Sequence, residues 1–250
     1  MAHQQHCCIY AWRAHRQYCR DILDSFNKAT ASHIIQSQLM IRYDDANYGS
    51  INNRAITQIP EQDFNRGLSD AIPDVLQGLR TKALPHRLQH HALHRDRSLA
   101  LCHFAAQFQR TDGDLRQAML QAAYYGAILV NARSRALAQA RQEGTAAAAA
   151  IDEAGEDIAV FTCISNGLSV EVYTHYCEDE QYYQNLVGRA SLLEPQGRIL
   201  IRNIQDLARS KSYQLAALLG AELGGEEEKD EKEVKKDTPR RSRRLQAQQD

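Results

Sequence analysis

Hydrophobic periodicity along the chain changes register several times, and each change predicts an element. Tyr18, Cys19, Ile22, Leu23 and Phe26 recur at spacings of three and four, which predicts a helix from Ile9 to about Ala31. Ser32–Arg66 is polar and mixed, with Asn47, Tyr48, Gly49, Ser50, Asn52 and Asn53 close together. It reads as loop with at most one short strand near Leu39–Tyr43. Ala71–Leu79 is a short apolar run containing Pro73, so it belongs at a sheet edge or a strand start. Ser98–Phe108 is almost continuously apolar, as expected of a strand buried on both faces.

Asp114 to about Gln142 predicts a strong helix, with Asp112 or Asp114 as cap and Leu115, Met119, Ala122, Gly126, Leu129 and Val130 at helical spacing. The alanine run Ala146–Ala150 reads as the helix fraying into a linker. Ile158–Ser165 and Leu168–Tyr176 flank Asn166-Gly167, the pattern of a two-residue hairpin with positive φ at both turn residues. Leu168, Val170 and Val172 alternate with Ser169, Glu171 and Tyr173, so one face of that strand is expected to be buried. Tyr182–Leu193 suits a further strand, and Arg198–Leu219 a closing helix carrying Ile201, Ile204, Leu207, Ala208 and Leu215. The implied fold class is α/β, a mixed central sheet flanked by helices.

Composition sets the outer limits. Apolar residues make up 43% of the 250, enough for one sizeable core, and the formal net charge of −1 gives no whole-chain argument for nucleic acid. The order of residues at the start is not that of a signal peptide, and no run approaches the roughly 18 apolar residues that cross a bilayer. A nuclear or cytoplasmic protein with no membrane partner is expected. Residues 1–220 read as one domain. Residues 221–250 are too polar to offset their ordering entropy and read as a disordered tail, acidic and then basic. Lys235, Lys236, Arg240, Arg241, Arg243 and Arg244 form a cluster of the kind bound by import receptors or nucleic acid.

Potential metal ligands are poorly organised. Cys7, Cys8, Cys19, Cys102, Cys163 and Cys177 contain no C-x-x-C pair, and Cys102 and Cys163 sit in apolar runs as small hydrophobes. His86, His90 and His94 would share a face if their segment were α-helical, but Arg87, Arg95 and Arg97 would repel a cation there.

The order helix, strand with Pro73-Asp74, strand, helix, strands, helix resembles the layout of the PD-(D/E)XK nuclease superfamily. Phe64–Leu79, Ser98–Ala138, Phe161–Tyr176 and Ile201–Leu219 are similar to blocks of a family of fungal proteins of unknown function with such a core. The resemblance implies a restriction-endonuclease-like core over roughly residues 10–219. It also implies an aspartate and a Glu-x-Lys on neighbouring strands, the two carboxylates holding Mg²⁺ and the lysine orienting the nucleophile.

Asp74 matches the aspartate, and it alone is a weak candidate metal ligand. The Glu-x-Lys positions read Gln107-Phe108-Gln109. A neutral amide binds Mg²⁺ far less well than a carboxylate, and Gln109 supplies no cation. The expectation is therefore a catalytically degenerate domain that binds nucleic acid or protein and needs no cofactor. The alternative is a Mg²⁺-dependent nuclease with a rearranged site, drawing on Asp70, Asp112, Asp114 and Arg110. Gln121 and Tyr125 resemble a Gln-x-x-x-Tyr helix motif of some superfamily nucleases, where it lies near DNA; with Arg110 they are the candidate nucleic-acid contacts. On this resemblance Asp74 and Gln107 should sit on adjacent strands, at the same edge of the sheet.

Overall fold

A computed structural model of the chain describes residues 2–25, 27–57, 68–93, 98–142 and 159–220. Its elements are α1 (Ala2–Leu23), α2 (Lys28–Gln38), β1 (Tyr48–Asn52), β2 (Val75–Arg80), β3 (Leu99–Phe108), α3 (Leu115–Gln142), β4 (Val160–Ser165), β5 (Ser169–Glu178), β6 (Gln181–Ser191) and α4 (Pro195–Leu218). Short 3-10 turns at Thr81–Ala83 and His86–His91 join β2 to β3. The described fold is α/β.

Strand order in the six-stranded sheet follows the chain, β1-β2-β3-β4-β5-β6. Every neighbouring pair is antiparallel except β3 and β4, which run parallel. Parallel neighbours need a crossover, and α3 supplies it. All ten residues of β3 are buried, because helices cover both faces of the sheet. On one face, Val75, Phe104, Ala106 and Phe108 meet Tyr18 and Ile22 of α1, Ile35 of α2 and Ile201 and Ala208 of α4. On the other, Leu76, Leu99 and Ala105 meet Tyr125, Ile128 and Leu129 of α3. The alternation within β2 and β3 sends neighbouring residues to opposite layers.

Four expectations change. The first helix is two helices. Ser25 turns back on Ile22 O through its hydroxyl (2.7 Å), and Asn27, extended at φ −146°, caps α2 by accepting from Thr30 N at 2.9 Å. An Asn cap starts a new helix axis, which a continuous three-four spacing conceals. The short strand lies at Tyr48–Asn52, not Leu39–Tyr43. Leu39 and Met40 are core residues at the end of α2, whereas β1 has only Tyr48 and Ile51 to announce it. The β4–β5 turn needs one left-handed residue, Gly167 at φ +84°. Asn166 instead accepts from Leu168 N and Ser169 N through its side chain, an Asx turn in place of a second positive φ. Finally, β5 is buried on both faces from Val170 to Tyr173: α3 packs on Tyr173, and Tyr173 and Arg189 cover the Glu171 carboxylate.

Two glycines matter for packing. A Cβ at Gly167 would lie 2.6 Å from Ile22 Cδ1, and Tyr18 donates to Gly167 O at 2.6 Å, so the hairpin is the seat of α1. A Cβ at Gly126 would overlap the ring of His175, which is buried in β5 and linked to Thr162 Oγ1 at 2.7 Å. Burial pushes that imidazole down to about 4, so it is neutral at pH 7.

The alanine run 146–150 and the tail 221–250, with its basic cluster from Lys235 to Arg244, lie outside the described residues.

Candidate functional site

Pro73-Asp74 immediately precedes β2, and Pro73 therefore costs no ladder hydrogen bond even though β2 is an interior strand. Val75 faces Ala106 and Leu76 faces Ala105, so the same antiparallel register brings Asp74 opposite Gln107. Asp74 Oδ2 accepts from Phe108 N at 2.6 Å, and Asp74 O accepts from Asn53 N at 3.2 Å. The first bond ties the carboxylate to the end of β3, and the second ties the Asp74 main chain to the residue after β1.

Gln107 is almost fully buried, and its Oε1 lies 3.1 Å from the hydroxyl of Tyr125. That hydroxyl is also 3.0 Å from Ile72 O. Tyr125 thus ties α3 to both the segment before β2 and the end of β3. It is itself buried, its ring packed in the core and its hydroxyl engaged by these two oxygens. Gln121, one turn earlier, is half-buried and its Oε1 has no hydrogen-bond partner among the described residues.

Among the described residues, the cation that reaches Asp74 is Lys28. Its Nζ lies 3.4 Å from Asp74 Oδ2, and it opens α2 directly after the Asn27 cap. Burial raises the Asp74 carboxyl above the usual carboxylate range; the Phe108 N–H and the Lys28 charge offset this only in part. Burial and the nearby Asp74 charge both push the Tyr125 phenol up.

The replacement groups suggested by sequence do not join this site. Arg110 is paired with Asp112 at 2.6 Å, both exposed. Asp114 accepts from Arg116 N at 2.8 Å at the start of α3. Gln109 stands just past β3, its N–H donating to Ser165 O at 2.7 Å. Asp70 is exposed. Among the described residues no group of three or more His, Cys, Asp or Glu side chains is arranged to hold a metal. The segment of His86 and His90 is a 3-10 turn rather than an α-helix, so an i, i+4 pair no longer shares a face, and His94 lies outside the described residues. Cys102 and Cys163 are buried, and burial raises both thiols, Cys163 to about 12. They are inert packing groups.

Beside Asp74 a cavity of about 480 Å³ opens between α2 and the end of β1, lined by Lys28, Ser32, His33, Gln36, Asn52 and Asp74. The Ser32 hydroxyl is buried with no hydrogen-bond partner among the described residues. Buried hydroxyls are seldom left so, and this one borders the cavity. Sequence reasoning missed Lys28, Ser32 and Asn52; the available signal was Asn27, a capping residue that would have turned α2 toward the sheet.

No protein-family model, curated protein or solved structure matches the chain significantly. No helix among the described residues is long and apolar enough to cross a membrane.

Proposed function

We propose that this chain is a PD-(D/E)XK nuclease-like domain that has lost its chemistry and acts as a nucleic-acid-binding module. The observation that carries the reading is the β2–β3 register, which, extended by one residue before β2, sets Asp74 opposite Gln107, the two positions where the resemblance implies two carboxylates. A restriction-endonuclease-like core is further supported by the order of elements: two helices, an antiparallel run of three strands, a helix, and a strand parallel to the third.

The residues do not fit a resident Mg²⁺. The metal requires hard, charged oxygens, and the site offers one carboxylate facing an amide whose oxygen is engaged by Tyr125. One Asp74 oxygen already accepts the Phe108 N–H. The remaining groups are those of a binding cleft: a lysine, a free hydroxyl and several amides. In a second reading the chain is a nuclease with a rearranged site, and Lys28 favours it by bringing an ammonium to Asp74 from another element.

Purified protein incubated with single- and double-stranded DNA and RNA in Mg²⁺ and Mn²⁺ separates the readings. Binding without cleavage is expected. Cleavage that disappears in Asp74→Ala would establish the second reading, and absence of binding to all four substrates would refute the first.

A further inference from the structure

A second cavity, of about 270 Å³, continues from the Asp74 cleft between the end of α2 and the β1–β2 ribbon. Gln36 and Asn52 line both, so the two form one trough. The second cavity has a distinct character. Arg42 and Arg80 both line it, both are exposed, and neither makes an ion pair among the described residues. No carboxylate among the described residues lines it. Gly49 makes room for one of them: a Cβ there would come 3.1 Å from Arg80 Cζ, so the guanidinium lies against the bare backbone of β1. Met40, Tyr43 and Val75 supply an apolar wall. The Tyr43 ring is held in place by its hydroxyl on Asp206 (3.0 Å) and by Arg209 stacked over it at 5.1 Å.

We infer that this trough is a site for a nucleoside phosphate, with Arg42 and Arg80 taking the phosphate and the Met40–Tyr43 wall taking the base. Two guanidiniums without a carboxylate between them form a fork for phosphate oxygens, which Arg binds in a bidentate way. A planar base needs apolar contact on its face and donors or acceptors at its edge. The wall gives the first, and Gln36, Ser50 and Asn52 give the second. At the far end of the trough, the unpartnered Ser32 hydroxyl and the Asp74 carboxylate are suited to sugar hydroxyls or the next unit of a strand. The combined space falls within the range of small-ligand sites and admits about one or two nucleotide units. The same chemistry comes from two sources, a free mononucleotide or the phosphorylated end of a strand. The second source rests on the nucleic-acid reading above; the first does not.

The test uses the full chain and fluorescence anisotropy at fixed ionic strength. Its probes are a short single-stranded oligonucleotide with a 5′-phosphate, the same strand with a 5′-hydroxyl, and a fluorescent nucleoside monophosphate. The expected result is tighter binding of the phosphorylated strand or the mononucleotide than of the 5′-hydroxyl strand. The Arg42→Ala/Arg80→Ala double variant should weaken that binding roughly 10- to 100-fold, the scale of losing charge-assisted hydrogen bonds. Arg135→Ala, on the exposed side of α3, is the control and should leave it unchanged. Binding of the mononucleotide but of neither strand would retain the site, assign it to the free nucleotide and overturn the strand-end source. Equal binding of both strands, insensitive to the double variant, would overturn the site and leave the nucleic-acid reading standing. Binding of none of the probes would overturn the site, while the nucleic-acid reading is decided by the four substrates above.

Discussion

Replacing Asp74 by Asn should stabilise the protein at neutral pH. The carboxyl of Asp74 is buried and its pKa is raised, so folding carries a charged oxygen pair into a poorly solvated place. The Phe108 N–H and Lys28 compensate only in part. Asparagine keeps an oxygen for the Phe108 N–H and removes the charge. It also removes the Lys28 pair, but Lys28 is 43% exposed and such a pair is worth little, on the order of 0–1 kcal/mol. A net gain of about 0.5–2 kcal/mol is expected, the range typical when a functionally placed group is neutralised.

Alanine at the same position isolates the hydrogen bond. It leaves the Phe108 N–H without its acceptor and should be less stable than the asparagine variant by about 1–3 kcal/mol. The pH dependence follows from linkage. Because the folded carboxyl has the higher pKa, the native state binds more protons than the unfolded state between the two values. Stability therefore falls as pH rises through that window. The Asn–Asp difference should be full above the folded value and should vanish below the unfolded value of about 4. Urea denaturation of the three proteins at pH 7 and at about pH 3.5 measures it. A loss of stability in Asp74→Asn at pH 7, or a difference that widens on acidification, would refute the electrostatic reasoning.

Other consequences follow from packing and from the tail. Gly126→Ala should cost about 1–2 kcal/mol in denaturation, because overpacking against His175 outweighs the roughly 1 kcal/mol that alanine gains in a helix; a gain of stability would mean the α3–β5 approach is looser than described. Gln107→Glu combined with Gln109→Lys, the change that would write in a Glu-x-Lys pattern, should lower the melting temperature, since Gln107 is 2% exposed and the new carboxylate would be buried near Asp74. An unchanged melting temperature would indicate that water reaches this point of the sheet. Deleting Lys235–Arg244 should shift a tagged protein from nucleus to cytoplasm, and an unaltered distribution would remove the import role of that basic cluster.

The legible parts of the fold were those with a repeated hydrophobic signal. Leu99–Phe108 is apolar throughout because helices cover both sides of it, and α3 and α4 carry long stripes. The β4–β5 hairpin could be located from Asn166-Gly167, but its geometry depended on which bonds the Asn166 side chain makes, a choice that the dipeptide leaves open. The break between α1 and α2 was hidden because the stripe from Tyr18 to Phe26 runs up to Asn27 without interruption, and Ile22 and Ile35 on either side belong to one core. For the same reason the site was only half legible. Asp74 and Gln107 are found by their order in the chain. Lys28 and Ser32 arrive from a distant helix whose existence the pattern did not announce.

The lone parallel junction in the sheet has a kinetic meaning. Antiparallel pairing lets β1–β2–β3 and β4–β5–β6 each close by local contacts, whereas the β3–β4 pairing, from Phe104–Phe161 to Phe108–Ser165, must wait until the whole α3 crossover has condensed. Long loop closures cost entropy before their contacts repay it, so this seam should be the last part of the sheet to zip. Phe108 belongs to that seam and also gives its N–H to Asp74. The carboxylate would then acquire its final hydrogen bond only at the late step. A chain caught with its halves unjoined would present two exposed strand edges, each a template for another molecule.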